Sequence, residues 1–195
     1  MTTDTEHATR FRPLVEGDLV EVQAIYNHAV RYTDATLDHE EKSLDELRSW
    51  LVAHNYRYLA LGAQNAKGRL VGYGTLSPFS SRMGYLASAE LSIYIHPDGK
   101  GRGVGGGLCA RLTDYASLAG MSAVVAFVST SNEASRRMLS RSGYQVEGKL
   151  RQIGYKAGQL IDLEIFQRVF DANCARYDGT TLTELITAFN EELPR

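Results

Sequence analysis

No stretch of the sequence approaches the roughly 18 consecutive apolar residues of a membrane-spanning helix, so a bilayer-embedded protein is not expected. The opening residues MTTDTEHATR also lack the apolar core of a secretory leader, and residence in the cytoplasm is the expectation. Cysteine is scarce. Cys109 and Cys174 lie far apart and in no Cys-x-x-Cys pair, which argues against a disulfide framework and fits a reducing compartment. The five histidines include no His-x-x-x-His spacing, so no metal is expected. An excess of one charge is lacking as well, since 21 Lys and Arg against 23 Asp and Glu leave a net charge of −2. A nucleic-acid surface or a membrane anchor is therefore not expected, and any basic site has to be local. No internal repeat or low-complexity tract is present. What remains is 195 residues with 44% hydrophobic content, enough for one domain with a sizeable core.

What is present centres on residues 89–108, AELSIYIHPDGKGRGVGGGL. Leu91, Ile93 and Ile95 alternate with Ser92, Tyr94 and His96 as in a strand, a glycine-rich turn follows, and an apolar helical pattern begins at once. Strand, glycine loop and helix in that order build an anion cradle, because the loop and the first helical turn offer unpaired N–H groups and the positive end of a helix dipole. A plain strand-to-helix turn has the same outline, so the loop by itself leaves both readings open.

In chain order, residues 9–14 read as a first strand, and Asp18 as the N-cap of a helix carrying Leu19, Val22, Ile25, Tyr26 and Ala29. Residues 31–41 form a polar connection suited to lining a site. Ser43 and Glu46 have capping-box spacing ahead of Leu44, Leu47, Trp50 and Leu51. Residues 58–63 and 69–76 flank the turn-forming Asn65–Gly68 as a hairpin, and 77–87 read as a loop. Helix 104–119 leads to the nearly all-apolar 122–128, the mark of a buried parallel strand. Asn132 caps a helix over 133–142, and 144–150 and 160–169 close the sheet. These elements imply an α+β fold with a central mixed, mostly antiparallel sheet of about seven strands and helices on both faces. Residues 1–8 read as a flexible tail, 9–170 as the domain and 171–195 as a helical extension.

The order of elements, with the glycine loop after the fourth strand, resembles the GNAT superfamily of acyl-CoA-dependent N-acyltransferases. The segments IYNHAV (25–30), PFSSRMGY (78–85), AELSIYIHP (89–97), GRGVGG (101–106), NEAS (132–135), SGY (142–144) and GYKAGQLID (154–162) resemble its phosphinothricin acetyltransferase branch. The resemblance implies acetyl-CoA as co-substrate, with main-chain groups of Ile93, Tyr94 and Ile95 meeting the pantetheine arm as an added strand would. It implies further that Lys100, Gly101, Arg102, Gly103, Val104, Gly105 and Gly106 receive the pyrophosphate, and that Asn132 touches the pantetheine near the thioester. Lys100 stands where the family has Arg or Gln, and keeps the charge without the planar fork.

An amine attacks a thioester only when neutral, and a free amino group with a pKa of about 8 to 10 is mostly protonated at pH 7. A base is needed, and Glu90 occupies the position of the family's glutamate. The Ile93 N–H is implied as the oxyanion donor. Leu139 aligns with the family's proton donor to the departing thiolate, and leucine cannot donate; neighbouring Ser140 is the alternative if the alignment is off by one. Arg82 and Tyr85 lie in the substrate-contacting loop, where an arginine can clamp a carboxylate, with Phe79, Thr36 and Leu37 as walls. Tyr155, Lys156 and Asp162 match the branch too, as pocket or as subunit interface. The implied protein is a homodimeric N-acetyltransferase for a small amino-acid-like amine such as phosphinothricin, methionine sulfoximine or methionine sulfone. A polyamine, aminoglycoside or protein N-terminal acceptor, and a non-catalytic acyl-CoA-binding module, stay open beside it.

Overall fold

The computed structural model describes residues 9–54 and 57–192, so the expected tail over 1–8 lies outside the described residues. Strands β1 (Arg10–Pro13), β2 (Ala60–Gln64), β3 (Leu70–Pro78), β4 (Ser88–Ile95), β5 (Ala123–Ser129), β6 (Gln145–Lys156) and β7 (Gln159–Val169) form one sheet in the order β1-β2-β3-β4-β5-β7-β6. Every neighbouring pair is antiparallel except β4 and β5. The exception follows from their connection, because α3 (Val104–Leu118) crosses over between them and returns the chain in the same direction.

Helices α1 (Leu19–Tyr32) and α2 (Leu44–Ala53) cover one face of the sheet, where Leu19, Val22, Ile25 and Leu47 pack on Ala60, Leu70 and Tyr73. Helix α3 covers the other, where Leu108, Leu112 and Ala116 are fully buried with Leu76, Leu91 and Val124; α4 (Glu133–Arg141) adds Leu139 to that core. The α+β architecture read from the sequence is the one found. No helix among the described residues is long and apolar enough to cross a membrane.

Of the local details, one is as expected and two differ. The Ser43–Glu46 capping box forms, with the Glu46 carboxylate accepting the Ser43 N–H at 2.8 Å and Ser43 Oγ accepting the Glu46 N–H at 3.3 Å. Asp18, by contrast, does not cap α1: its carboxylate accepts the Val15 N–H at 2.8 Å and two guanidinium bonds from Arg12 at 2.6 and 2.7 Å. The Arg12 bonds hold this carboxyl below its ordinary value despite burial. Strand β6 runs six residues beyond 150. Gln152 takes a left-handed φ of 54° at a bulge and donates its N–H to Asp162 Oδ1 at 2.8 Å, and this break in alternation is what made the strand look finished.

Beyond the sheet lie α5 (Asp171–Cys174) and α6 (Leu182–Glu192), with Leu185 of α6 buried. Asn173 Nδ2 donates to the carbonyls of Ser117 and Met121 at 2.7 and 2.8 Å, and the Tyr177 hydroxyl to that of Gly120 at 2.7 Å. The segment thereby satisfies carbonyls at and just beyond the C-terminal end of α3, a long way in sequence from the glycine loop at its other end.

Candidate active site

Strands β4 and β5 pair only at Ser88–Ala123, Ala89–Val124 and Glu90–Val125. Past Glu90 each keeps its outer partner, β3 as far as Ile95 and β7 as far as Ser129, but the two part and leave a gap. The main-chain directions at this gap follow from the antiparallel ladder. His96 donates its N–H to Val71 at 3.0 Å, so Tyr94, Ser92 and Glu90, in the same alternation, turn their main-chain groups to β3. Leu91, Ile93 and Ile95 turn theirs to the gap. Tyr94 of the expected pantetheine set lines the gap with Ile93, but its own N–H and C=O turn to β3 and its ring packs at 5.1 Å from Tyr26 and 5.3 Å from Tyr73. The gap is bounded by Ser92 and Ile93 on one side, Phe127 and Ser129 on the other, and Asn132, Ser135, Met138 and Leu139 of α4 below.

At the far end of β4 the chain enters the glycine loop. Gly101 and Gly103 both have φ of +74°, a backbone state that side chains disfavour, and Gly103 is the N-cap of α3. The Gly107 N–H bonds Gly103 O at 2.9 Å, so the N–H groups of Val104, Gly105 and Gly106 have no helical acceptor. Gly106 is exposed, and a Cβ there would meet nothing within 4 Å of the protein. Lys100 and Arg102 are exposed on the same loop. His28 on α1 feels this charge: burial first, then Lys100, His96 and Arg31, lower it below the ordinary histidine value. Positive charge is thus concentrated locally in a chain of net charge −2, and His28 was not singled out because it lies far off in sequence.

Asn132 serves as N-cap of α4, its Oδ1 accepting the Ser135 N–H at 3.1 Å. Leu139 is 2% exposed and faces both core and gap, whereas Ser140 is exposed, so the structure puts no side-chain proton donor at that position. Helix α4 is held to β7 by Arg136, which meets the Glu164 carboxylate at 2.7 and 3.0 Å.

Glu90 lies where the gap begins, half-buried on the α1/α2 face with Ser92 and Tyr94. Burial raises its carboxyl above the ordinary value. Beside it a cavity of about 340 Å³ opens between α2 and the sheet, lined by Tyr26, Trp50, Tyr73, Thr75, Ser77 and Tyr94, among others. Phe79 packs its ring at 5.2 Å from Tyr85 and 6.3 Å from Phe127, forming an aromatic wall on the same face. Phe127 was not singled out from the sequence, although its place two residues before Ser129 in an otherwise buried strand marks it as the exposed aromatic of that face. Arg82 is exposed at the start of a 3₁₀ turn over Met83–Tyr85.

Thr36 and Leu37 belong to a loop fastened at several points. Thr36 Oγ1 lies 3.2 Å from the Tyr26 hydroxyl, Leu37 rests on Gly154, and Asp34 accepts the Ser129 hydroxyl at 2.6 Å. Both cysteines are free, Cys109 buried and Cys174 exposed.

Comparison with known proteins agrees with this geometry. The family model for the acetyltransferase (GNAT) domain matches residues 12–165. The phosphinothricin N-acetyltransferase of Streptomyces coelicolor is 35% identical over 161 residues, 80% of this chain and 94% of that protein. An L-methionine sulfoximine/L-methionine sulfone acetyltransferase of Salmonella typhimurium is 30% identical, over 82% of this chain and 94% of that protein. Among solved structures, the YncA acetyltransferase of Salmonella typhimurium with its cofactor acetyl-CoA superposes with a TM-score of 0.81 at 30% identity, covering 84% of this chain and 95% of that one. The chain belongs to the GNAT family of acetyltransferases and is an N-acetyltransferase with phosphinothricin and methionine sulfoximine acetyltransferases among its relatives.

Proposed function

We propose that this enzyme transfers acetyl directly from acetyl-CoA to the primary amine of a small amino-acid-like acceptor, of the phosphinothricin, methionine sulfoximine or methionine sulfone type, with Glu90 as general base. The observation that carries this reading is that Glu90 is the last β4 residue paired with β5, at the vertex from which the gap opens. Acetyl-CoA supplies the activated acyl group. The main-chain groups of Ile93 and Ile95 hold its pantetheine arm in the gap, Asn132 lies along the floor, and the N–H groups over 104–106 with Lys100 and Arg102 receive the diphosphate. Glycine at 101, 103 and 106 suits that place because no Cβ keeps the backbone from the anion.

The acceptor enters from the side of Phe79, Tyr85 and Phe127, with Arg82 placed to clamp a carboxylate. Glu90 takes the ammonium proton directly or through one water, and the Ile93 N–H, directed into the gap, stabilises the developing oxyanion. Val146, Ile153, Tyr155 and Leu160 leave half or more of their surface exposed on the β6–β7 hairpin, and a homodimer contact there accounts for them. Two free thiols and the use of acetyl-CoA suit the cytoplasm.

The test is thiol release from acetyl-CoA with phosphinothricin, methionine sulfoximine, methionine sulfone, a polyamine, an aminoglycoside and a short peptide. Turnover confined to the three amino-acid analogues supports the reading. Turnover only with another amine discards the acceptor and keeps the chemistry, and acetyl-CoA binding without any turnover leaves a non-catalytic module. Light scattering of the purified chain tests the dimer.

A further inference from the structure

We propose that His54 receives the proton that Glu90 takes from the amine, with the Ser77 hydroxyl as the bridge, a step that rests on the reading of Glu90 as the base. Among the described residues nothing bonds the Glu90 carboxylate, yet it must shed one proton in every cycle. Ser77 stands directly opposite Glu90 across β3 and β4. Partners in such a pair carry their side chains on the same face, within reach of a long carboxylate arm.

On its other side, Ser77 Oγ lies 3.4 Å from Nε2 of His54, at the C-terminal end of α2. The tautomer of that ring is fixed. Nδ1 lies 2.8 Å from the Trp50 carbonyl, which can only accept, so Nδ1 carries the hydrogen and Nε2 offers a lone pair toward Ser77. The Trp50 ring, 4.5 Å away, holds the imidazole in place. Burial keeps His54 below its ordinary value and hence neutral at pH 7. The titratable groups facing this corner among the described residues are Glu90 on β4, Tyr73 on β3, Tyr94 on β4, Tyr26 on α1, and Lys42 and Glu46 at the start of α2.

The step balances. The carboxylic O–H bond of Glu90 breaks as its proton passes to Ser77 Oγ, and the Ser77 hydroxyl proton forms a bond with Nε2. Glu90 returns as carboxylate, Ser77 as hydroxyl and His54 as imidazolium. The imidazolium keeps its Nδ1–H on the Trp50 carbonyl and gives the Nε2 proton to water or buffer in the cavity that Ser77 lines, which returns the neutral ring.

The experiment measures kcat in dilute buffer for His54→Gln, Ser77→Ala, the double variant and Glu90→Gln, with acetyl-CoA and the best acceptor of the panel. In His54→Gln and Ser77→Ala, kcat should fall about ten- to a hundredfold, with KM for acetyl-CoA unchanged. The double variant should be no slower than His54→Gln, because both act in one path. Added imidazole buffer should restore His54→Gln by taking the proton from outside. Wild-type rates in both single variants, or a loss that neither buffer nor pH moves, overturn the relay. Ser77→Ala keeps the test alive should His54→Gln melt early. Should Glu90→Gln alone be slow, the relay fails and the base stands; should it keep the full rate, or should the native chain acetylate no amine, the base fails and the relay with it.

Discussion

The ammonium of Lys156, almost fully buried at the end of β6, donates to the main-chain carbonyl of Thr36 in the loop proposed to wall the acceptor side. Burial lowers the Lys156 amine below the ordinary lysine value, with the carboxylates of Asp34 and Asp38 opposing. On the same stretch His39 Nε2 lies 2.9 Å from the Tyr155 carbonyl and the two rings stack. Lys156→Met should leave the Thr36 carbonyl unpaired and cost about 1–3 kcal/mol of stability. It should also raise KM for the acceptor while KM for acetyl-CoA stays, because the gap and the glycine loop are built on other elements. Denaturant melts and kinetics with each substrate varied in turn check both parts; equal changes in the two KM values would count against a wall on the acceptor side.

Glu90→Gln separates stability from catalysis. The raised Glu90 carboxyl means that the folded chain holds this proton more tightly than the unfolded chain. Its contribution is therefore fully present below the unfolded value of about 4.3 and lost as pH rises through the folded value. The amide never ionises, so the variant should melt higher than the native chain at pH 7, and most of that gain should vanish by about pH 4. Over the same range kcat should drop about 10²–10⁴-fold with acetyl-CoA affinity unchanged in calorimetry. The native pH–rate profile should rise through an inflection above the usual carboxylate range, and that inflection should be missing from the residual activity of the variant.

Gly106 and Gly107 are neighbours on α3 with opposite expectations. At Gly106 a Cβ meets nothing in the protein, so Gly106→Ala should hold stability or raise it by up to about 1 kcal/mol. The same methyl projects where the diphosphate is proposed to bind, so KM for acetyl-CoA should rise. At Gly107 a Cβ would sit 2.4 Å from the Phe11 ring, over which the Arg111 guanidinium lies at 3.9 Å, so Gly107→Ala should melt early. Thermal melts paired with acetyl-CoA titrations would show whether the two positions part in this way.

Much of this was legible because it is local. Ser43 and Glu46 announce a cap across three residues, and the run from Leu91 to Leu108 announces strand, loop and helix without help from elsewhere. What stayed hidden depends on partners. Alternation separates Ser92 and Tyr94 from Ile93 and Ile95, but only the pairing of β4 with β3 says which set has main-chain groups to spare. Asp18 looks like an N-cap until Arg12 on β1 competes for its carboxylate. His54 carries no motif, and only the meeting of α2 with the end of β3 brings it to Ser77.

The proposed carboxylate clamp at Arg82 tests the acceptor class. The Arg82 guanidinium is exposed on the loop between β3 and β4, next to the Phe79–Tyr85 pair, and Ser80 Oγ accepts the Arg82 main-chain N–H at 3.3 Å. A charged hydrogen-bonded clamp is worth about 1.5–3 kcal/mol, which is about ten- to a hundredfold in kcat/KM. Arg82→Met should therefore cost that much with an acceptor bearing a carboxylate. With the matching amine whose carboxylate is replaced by an amide, the native chain should already be slow and the variant no slower, since the partner of the guanidinium is gone. Loss of the same size with both acceptors would mean that Arg82 orders the loop and meets no carboxylate. No loss with either would move the search for the carboxylate's partner to other groups on the acceptor side, of which Lys42 at the cavity wall is the first to mutate.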